Sequence, residues 1–143
     1  MICRAKLINS FLTVCFISLF FLSDVAAEVV NLGNKQLKQM LADNVPIIDL
    51  RRYDEWQSTG IVENSHLITF FDSKGNYNVE TWLQALDKIV AKNDKFILIC
   101  RTGNRTGTVA HFLDKKLGYT QVYHVQRGIK NWIQKGNKVI SVK

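Results

Sequence analysis

Phe96-Ile97-Leu98-Ile99-Cys100-Arg101-Thr102-Gly103-Asn104-Arg105-Thr106-Gly107 is the stretch from which the fold is read. Four apolar residues run straight into a cysteine, and arginines and glycines crowd the positions after it. A short unbroken apolar run reads as a strand buried on both faces, as in a parallel sheet. Thr108 to Leu117 then reads as a helix, with Val109, Phe112, Leu113 and Leu117 on its buried side and Gly118 as its stop. Cys100 thus falls where a strand ends and a helix is about to begin. In open α/β sheets, ligands bind beyond the carboxyl ends of the strands.

Such a loop suits anionic chemistry. The first N–H groups of a helix lack intrahelical acceptors and carry partial positive charge. Arg101 and Arg105 add full charges, and glycines let several N–H groups converge on one point. A thiol in that cradle is expected to ionise readily. The same cradle is expected to bind an oxyanion. A nucleophile and an anion site would then share one loop.

Outward from the loop, strands and helices alternate. Glu28 to Leu32 reads as an entry strand. Gly33 and Asn34 open a helix whose Leu37, Met40 and Leu41 share a face, and Asn44 breaks it. Pro46 to Leu50 is a second buried strand, with proline tolerated at its first residue. Asp49 near its end needs a partner. Arg51 is the nearest one, which gives a structural pair; the sharper reading has Asp49 steadying the cysteine loop from the neighbouring strand. Arg52 to Thr59 is a polar helix anchored by Trp56 and closed by Gly60. Ser65 to Thr69 is a third strand, Phe70 and Phe71 are core or pocket wall, and Asp72 to Asn76 is a turn. Asn78 caps a helix predicted over Val79 to Ala91. Gln121 to Val125 is a strand, and Gly128 opens a last helix through Ile129, Trp132 and Ile133. The class is α/β with a mainly parallel sheet.

The 143 residues suffice for one domain with a real core. The formal charge is +7, but lysines and arginines are scattered. Without a basic patch interleaved with aromatics, no nucleic-acid partner is expected. Met1 to Ala27 reads as a secretory signal peptide, with Arg4 and Lys6 ahead of an apolar run from Leu7 to Leu22. Val25-Ala26-Ala27 offers a small-residue site, with cleavage expected between Ala27 and Glu28. An uncleaved anchor is disfavoured, because the run is short of the about 20 apolar residues that a span needs. A lipoprotein reading at Leu12-Thr13-Val14-Cys15 is weaker still. The mature domain is then 28–143, periplasmic or secreted, with the membrane involved only through the signal peptide. Cys3 and Cys15 would depart with the leader, leaving Cys100 unpaired. An unpaired cysteine in an exported chain points to chemistry at that sulfur.

His66, His111 and His124 are far apart and lack ligand spacing, so no metal is expected, and no cofactor either. None of the three is assigned as a base for Cys100.

The mature chain resembles a single-domain rhodanese, a thiosulfate sulfurtransferase type. Ile47-Ile48-Asp49-Leu50-Arg51 with Glu55 and Gly60 is similar to the first signature of that family. Cys100-Arg101-Thr102-Gly103-Asn104-Arg105-Thr106 closely resembles its active-site loop, and Gly128-Ile129-Lys130-Asn131-Trp132 its carboxyl-terminal signature. Gly60-Ile61-Val62 departs from the usual Gly-His-Ile, and Arg127 stands where a second glycine is common. The resemblance implies a three-layer fold and a persulfide on Cys100. That sulfur would come from a small anionic donor such as thiosulfate and go to cyanide, a thiol or a protein acceptor. Arg101, Thr102, Gly103, Asn104, Arg105 and Thr106 would bind the donor, with Asp49 and Arg51 in support. Two rivals keep Cys100 but change the chemistry: a non-enzymatic persulfide carrier or redox module, and a cysteine phosphatase or arsenate reductase. The second resembles a loop with five residues between cysteine and arginine, whereas four separate Cys100 from Arg105.

Overall fold

The computed structural model describes residues 29–142. The expected leader, with Cys3 and Cys15, lies outside the described residues. The elements run β1 (Val30–Leu32), α1 (Asn34–Ala42), β2 (Ile47–Asp49), α2 (Tyr53–Thr59), β3 (His66–Leu67), α3 (Val79–Leu86), β4 (Phe96–Ile99), α4 (Asn104–Leu117), β5 (Val122–Val125) and α5 (Gly128–Gln134). The five strands form one parallel sheet in the order β1-β5-β4-β2-β3. An antiparallel bridge between Ile61 and Ile140 ties the tail to the end of α2.

Strand alternation divides the core into two faces. Ile48, Phe96, Leu98 and Val122 face α3 and α4, packing with Trp82, Leu86, Val109 and Leu113. Ile47, Ile97, Ile99 and Val125 face the other way, packing with Leu37, Ile129 and Trp132 of α1 and α5. All four residues of β4 are fully buried, so the central strand is covered on both sides. Each such side chain contributes about 1.5–3 kcal/mol by leaving water. The result is the expected α/β three-layer arrangement.

Several element bounds differ from the sequence reading. Helix α4 begins at Asn104, four residues before the predicted Thr108. Gly103 adopts a left-handed φ of 97°, and its carbonyl accepts from both the Gly107 N–H (2.9 Å) and the Thr106 hydroxyl (2.9 Å). The turn is closed at once, and Gly107, which reads as a loop residue, lies inside the helix. Helix α3 ends at Leu86 instead of Ala91: the Ile89 N–H closes a tighter i→i−3 turn onto the Leu86 carbonyl at 2.8 Å. Val90 still enters the core, so the apolar stripe outlasts the helix. Strand β3 shrinks to two residues: past Leu67 the chain keeps its bonds to the end of β2 through Ile68 and Phe70 N–H but leaves regular pairing.

From β2 the chain crosses outward to β3; from β4 it crosses the opposite way to β5. Neighbouring β2 and β4 therefore flank a topological switch point at their carboxyl ends, the place where such sheets open a crevice.

Candidate active site

Cys100 directly follows β4 at that switch point and is 1% exposed. Its Sγ accepts from the Gly103 N–H at 3.2 Å and lies 3.6 Å from Thr106 Oγ1. The amino end of the 14-residue α4 follows immediately, with Arg101, Thr102 and Asn104 exposed around it. The sulfur thus sits at the base of a short loop, with the helix dipole behind it.

Two glycines fix the loop by close approach. Gly103 abuts the carbonyl of Gln126, where a Cβ would collide with backbone. Gly128 (φ 56°) abuts the loop from α5, and a Cβ there would lie 2.5 Å from the carbonyl oxygens of Cys100 and Arg101. The Ile129 and Lys130 N–H groups donate to those same carbonyls at 2.8 and 3.1 Å. The amino end of α5 therefore holds the backbone of Cys100 and Arg101 in place.

Arg105 reaches across the crevice to α2. Its Nη1 and Nη2 donate to the two carboxylate oxygens of Glu55 at 2.8 and 2.6 Å. The Glu55 carboxylate also accepts from the Arg52 N–H at 3.1 Å. Burial alone would push Glu55 up, but those hydrogen bonds and the charges of Arg105 and Arg52 outweigh it, leaving Glu55 below its ordinary value. Arg105 is raised, chiefly by Glu55, with the charges of Cys100 and Asp49 adding to it.

Asp49 and Arg51 form a fully buried pair. Arg51 Nη2 donates to Asp49 Oδ2 at 2.8 Å, and Arg51 Nε donates to both carboxylate oxygens. The remaining guanidinium N–H groups go to the Thr59 hydroxyl (2.6 Å) and to the Glu55 and Gly60 carbonyls. The pair fastens α2 to β2, and α2 presents Glu55 to Arg105.

Thr106 is completely buried and central to a second network. Its hydroxyl lies between Cys100 Sγ, the Gly103 carbonyl and, at 3.3 Å, Nδ1 of His124. His124 stands on β5, 6% exposed, and burial first, then the charge of His111, lowers its pKa from 6.5. Phe70, Phe71 and Tyr77 form an apolar cleft of about 200 Å³ with Thr108, Val109 and Phe112 of α4.

The family model of the rhodanese-like domain matches residues 33–135. The chain belongs to the rhodanese-like domain family. Among solved structures, this rhodanese-like domain is similar to a rhodanese-related protein from Thermoplasma volcanium (TM-score 0.59, 25% identity, 78% of this chain and 97% of that one). It is also similar to the polysulfide-sulfur transferase homodimer of Wolinella succinogenes (TM-score 0.61, 20% identity, 82% of each chain). A third similar structure is a Rhodopseudomonas palustris protein described as a possible tyrosine phosphatase (TM-score 0.56, 21% identity, 78% and 85%). Among curated sequences, an uncharacterized protein of Rickettsia conorii is 29% identical over 109 residues, 72% of this chain and 85% of its own.

The rhodanese-like loop brings Cys100, Gly103, Arg105 and Thr106 together, with Arg101, Thr102 and Asn104 on its exposed side. Two contributors escaped assignment from the sequence. Glu55 carried only a signature match, and nothing linear tied it to Arg105, fifty residues on. His124 looked like an ordinary strand residue. Its one signal is an imidazole within the apolar run Val122 to Val125, where a buried polar group needs a partner.

Proposed function

We propose that this domain is a sulfurtransferase that carries a sulfane sulfur on Cys100. The observation that supports it is the placement of Cys100 Sγ, at the carboxyl end of the central strand, under the Gly103 N–H and the start of α4. A polysulfide-sulfur transferase shares the fold. In the first half-reaction the Cys100 thiolate attacks the outer sulfur of thiosulfate. The new S–S bond forms as the donor's own S–S bond breaks, and sulfite leaves with the electron pair. In the second, cyanide or a thiolate takes the outer sulfur and Cys100 returns as thiolate. Negative charge is conserved at each step, and ping-pong kinetics follow.

In this reading the loop of Arg101, Thr102, Gly103, Asn104, Arg105 and Thr106 receives the donor and then the anionic persulfide. Helix-end N–H groups stabilise charge wherever it develops. Arg101 supplies an exposed cation, while Arg105 approaches the site already neutralised by Glu55. The persulfide places its outer sulfur about 2 Å beyond Sγ. The four-residue spacing between Cys100 and Arg105 makes a smaller ring than the five-residue phosphatase loop and suits a single sulfur better than a phosphoryl group.

Mass spectrometry tests the proposal. After incubation with thiosulfate, the protein gains the mass of one sulfur atom on Cys100, cyanide removes it, and Cys100→Ser never acquires it. Turnover of an aryl phosphate with no adduct from thiosulfate or polysulfide would falsify the sulfurtransferase reading.

A further inference from the structure

We propose that His124 is a positioning residue for the Cys100 sulfur, acting through the Thr106 hydroxyl. The inference deepens the sulfurtransferase reading and rests on it for the reaction served, but it concerns the sulfur anion itself and is testable without turnover.

A threonine hydroxyl has one proton and two acceptor lone pairs. At 2.9 Å from the Gly103 carbonyl, the Thr106 proton is committed there. The oxygen then faces two further groups as an acceptor: Cys100 Sγ at 3.6 Å and His124 Nδ1 at 3.3 Å. That assigns the ring proton to Nδ1, because an unprotonated Nδ1 would face an oxygen with nothing left to give. With a protonated thiol every group is satisfied.

Loss of the thiol proton upsets this balance. A thiolate or a persulfide anion is an acceptor only, so the Thr106–Cys100 contact must reverse. The Thr106 hydroxyl turns from the Gly103 carbonyl to the sulfur and makes a charge-assisted hydrogen bond. The Nδ1–H of His124 stays on the hydroxyl oxygen and holds it as a donor to sulfur. Thr106 is fully buried and His124 nearly so, which makes a missing donor costly at this place. No covalent bond changes; one hydroxyl rotates.

The surroundings keep the ring in this role. His124 is paired in register with Leu98 on β4 and Asn31 on β1, both uncharged. From α4, Gly107 faces the ring, where an added Cβ would lie 3.6 Å from Cε1, and His111 is the titratable neighbour. Burial, then His111, favours the neutral ring. Around Cys100 the charged groups are Arg101, Arg105 with Glu55, and the Asp49–Arg51 pair.

The experiment titrates the ultraviolet absorbance of the Cys100 thiolate in the full chain, as the difference from Cys100→Ser. His124→Leu is expected to move the titration midpoint upward by about half to one pH unit and to lower thiosulfate kcat/KM about five- to tenfold. His124→Asn, which keeps a side-chain N–H near the Nδ1 position, restores both to within about twofold. In a Thr106→Val background, His124→Leu adds no further shift. Thermal melts accompany each variant. Should His124→Leu fail to fold, His124→Asn and His124→Gln replace it, with Asn near wild type and Gln, its amide one carbon further out, shifted. A wild-type midpoint in His124→Leu, equal effects of Leu and Asn, equal effects of Asn and Gln, or additivity with Thr106→Val overturns the proposal. The expected absorbance shifts in a protein that accepts no sulfur would leave the His124 role standing and remove the sulfurtransferase reading.

Discussion

At the scale of single residues, the geometry of the Cys100 loop depends on groups outside it. Asp49 is completely buried, and among the described residues its carboxylate is in contact with one charged group, Arg51. Removing one member of a buried pair strands the other charge, so Asp49→Ala is expected to cost about 3–5 kcal/mol, read from chemical denaturation. An Asp49→Ala protein that is fully stable yet inactive would instead move Asp49 into the chemistry. Gly128 acts by what it lacks. Its Cβ position lies 2.5 Å from two loop carbonyls, and these are backbone atoms that cannot swing aside. Gly128→Ala is therefore expected to lower sulfur loading of Cys100 more than tenfold, about 1.4 kcal/mol or more of lost positioning, with far-ultraviolet circular dichroism still that of a folded α/β domain. The Asp49–Arg51 pair was legible from sequence because the two residues are neighbours in the chain. The part of Gly128 was hidden, because a glycine at the start of a helix says nothing of the strand end it will meet.

At the scale of elements, the crevice is a joint between α2 and α4, and Glu55–Arg105 is its fastening. Both side chains are mostly shielded from solvent, so the pair is expected to show a coupling energy of about 1 kcal/mol or more in a cycle of Glu55→Gln and Arg105→Ala. The sign of its pH dependence follows from Glu55. Its folded pKa is lowered, so the stabilisation is fully present above the ordinary value of 4.5 and is lost as the pH falls through the lowered value. Melting temperatures measured at descending pH should fall less steeply below 4.5 in Glu55→Gln than in wild type; parallel curves would assign the acid sensitivity elsewhere. The same joint shows why element bounds were the least legible part of the sequence. Residue patterning located the helices, α2 by a single Trp56 anchor and a closing glycine, but it is blind to where a turn closes. A single left-handed Gly103 started α4 four residues early, and a tighter turn onto the Leu86 carbonyl ended α3 while its apolar stripe continued. His124 and Thr106 belong to different elements again, and only the packing of α4 on β5 brings them together.

At the scale of the whole molecule, order and charge both bear on function. Alternating strand and helix signals were enough to give the parallel α/β class. The strand order was not legible, since short apolar strands carry no label of their neighbours. That order sets the switch point between β2 and β4, where Cys100 lies. The formal charge of +7 on the chain, with Arg101, Arg127 and Lys130 exposed near the loop, should draw a dianionic donor inward. Thiosulfate kcat/KM is expected to fall as salt rises through about 0.1 M, where screening acts over about 10 Å; a neutral donor should show no such slope. A last consequence comes from the grip of α5 on the Cys100 and Arg101 carbonyls. A ribosome delivers the cysteine well before it delivers Gly128 and Ile129, so a nascent chain halted in between owns the reactive thiol without the clamp that shapes its loop. The geometry of the Cys100 loop is thereby tied to translation of α5, and products terminated before Gly128 should load less sulfur on Cys100 than the full chain.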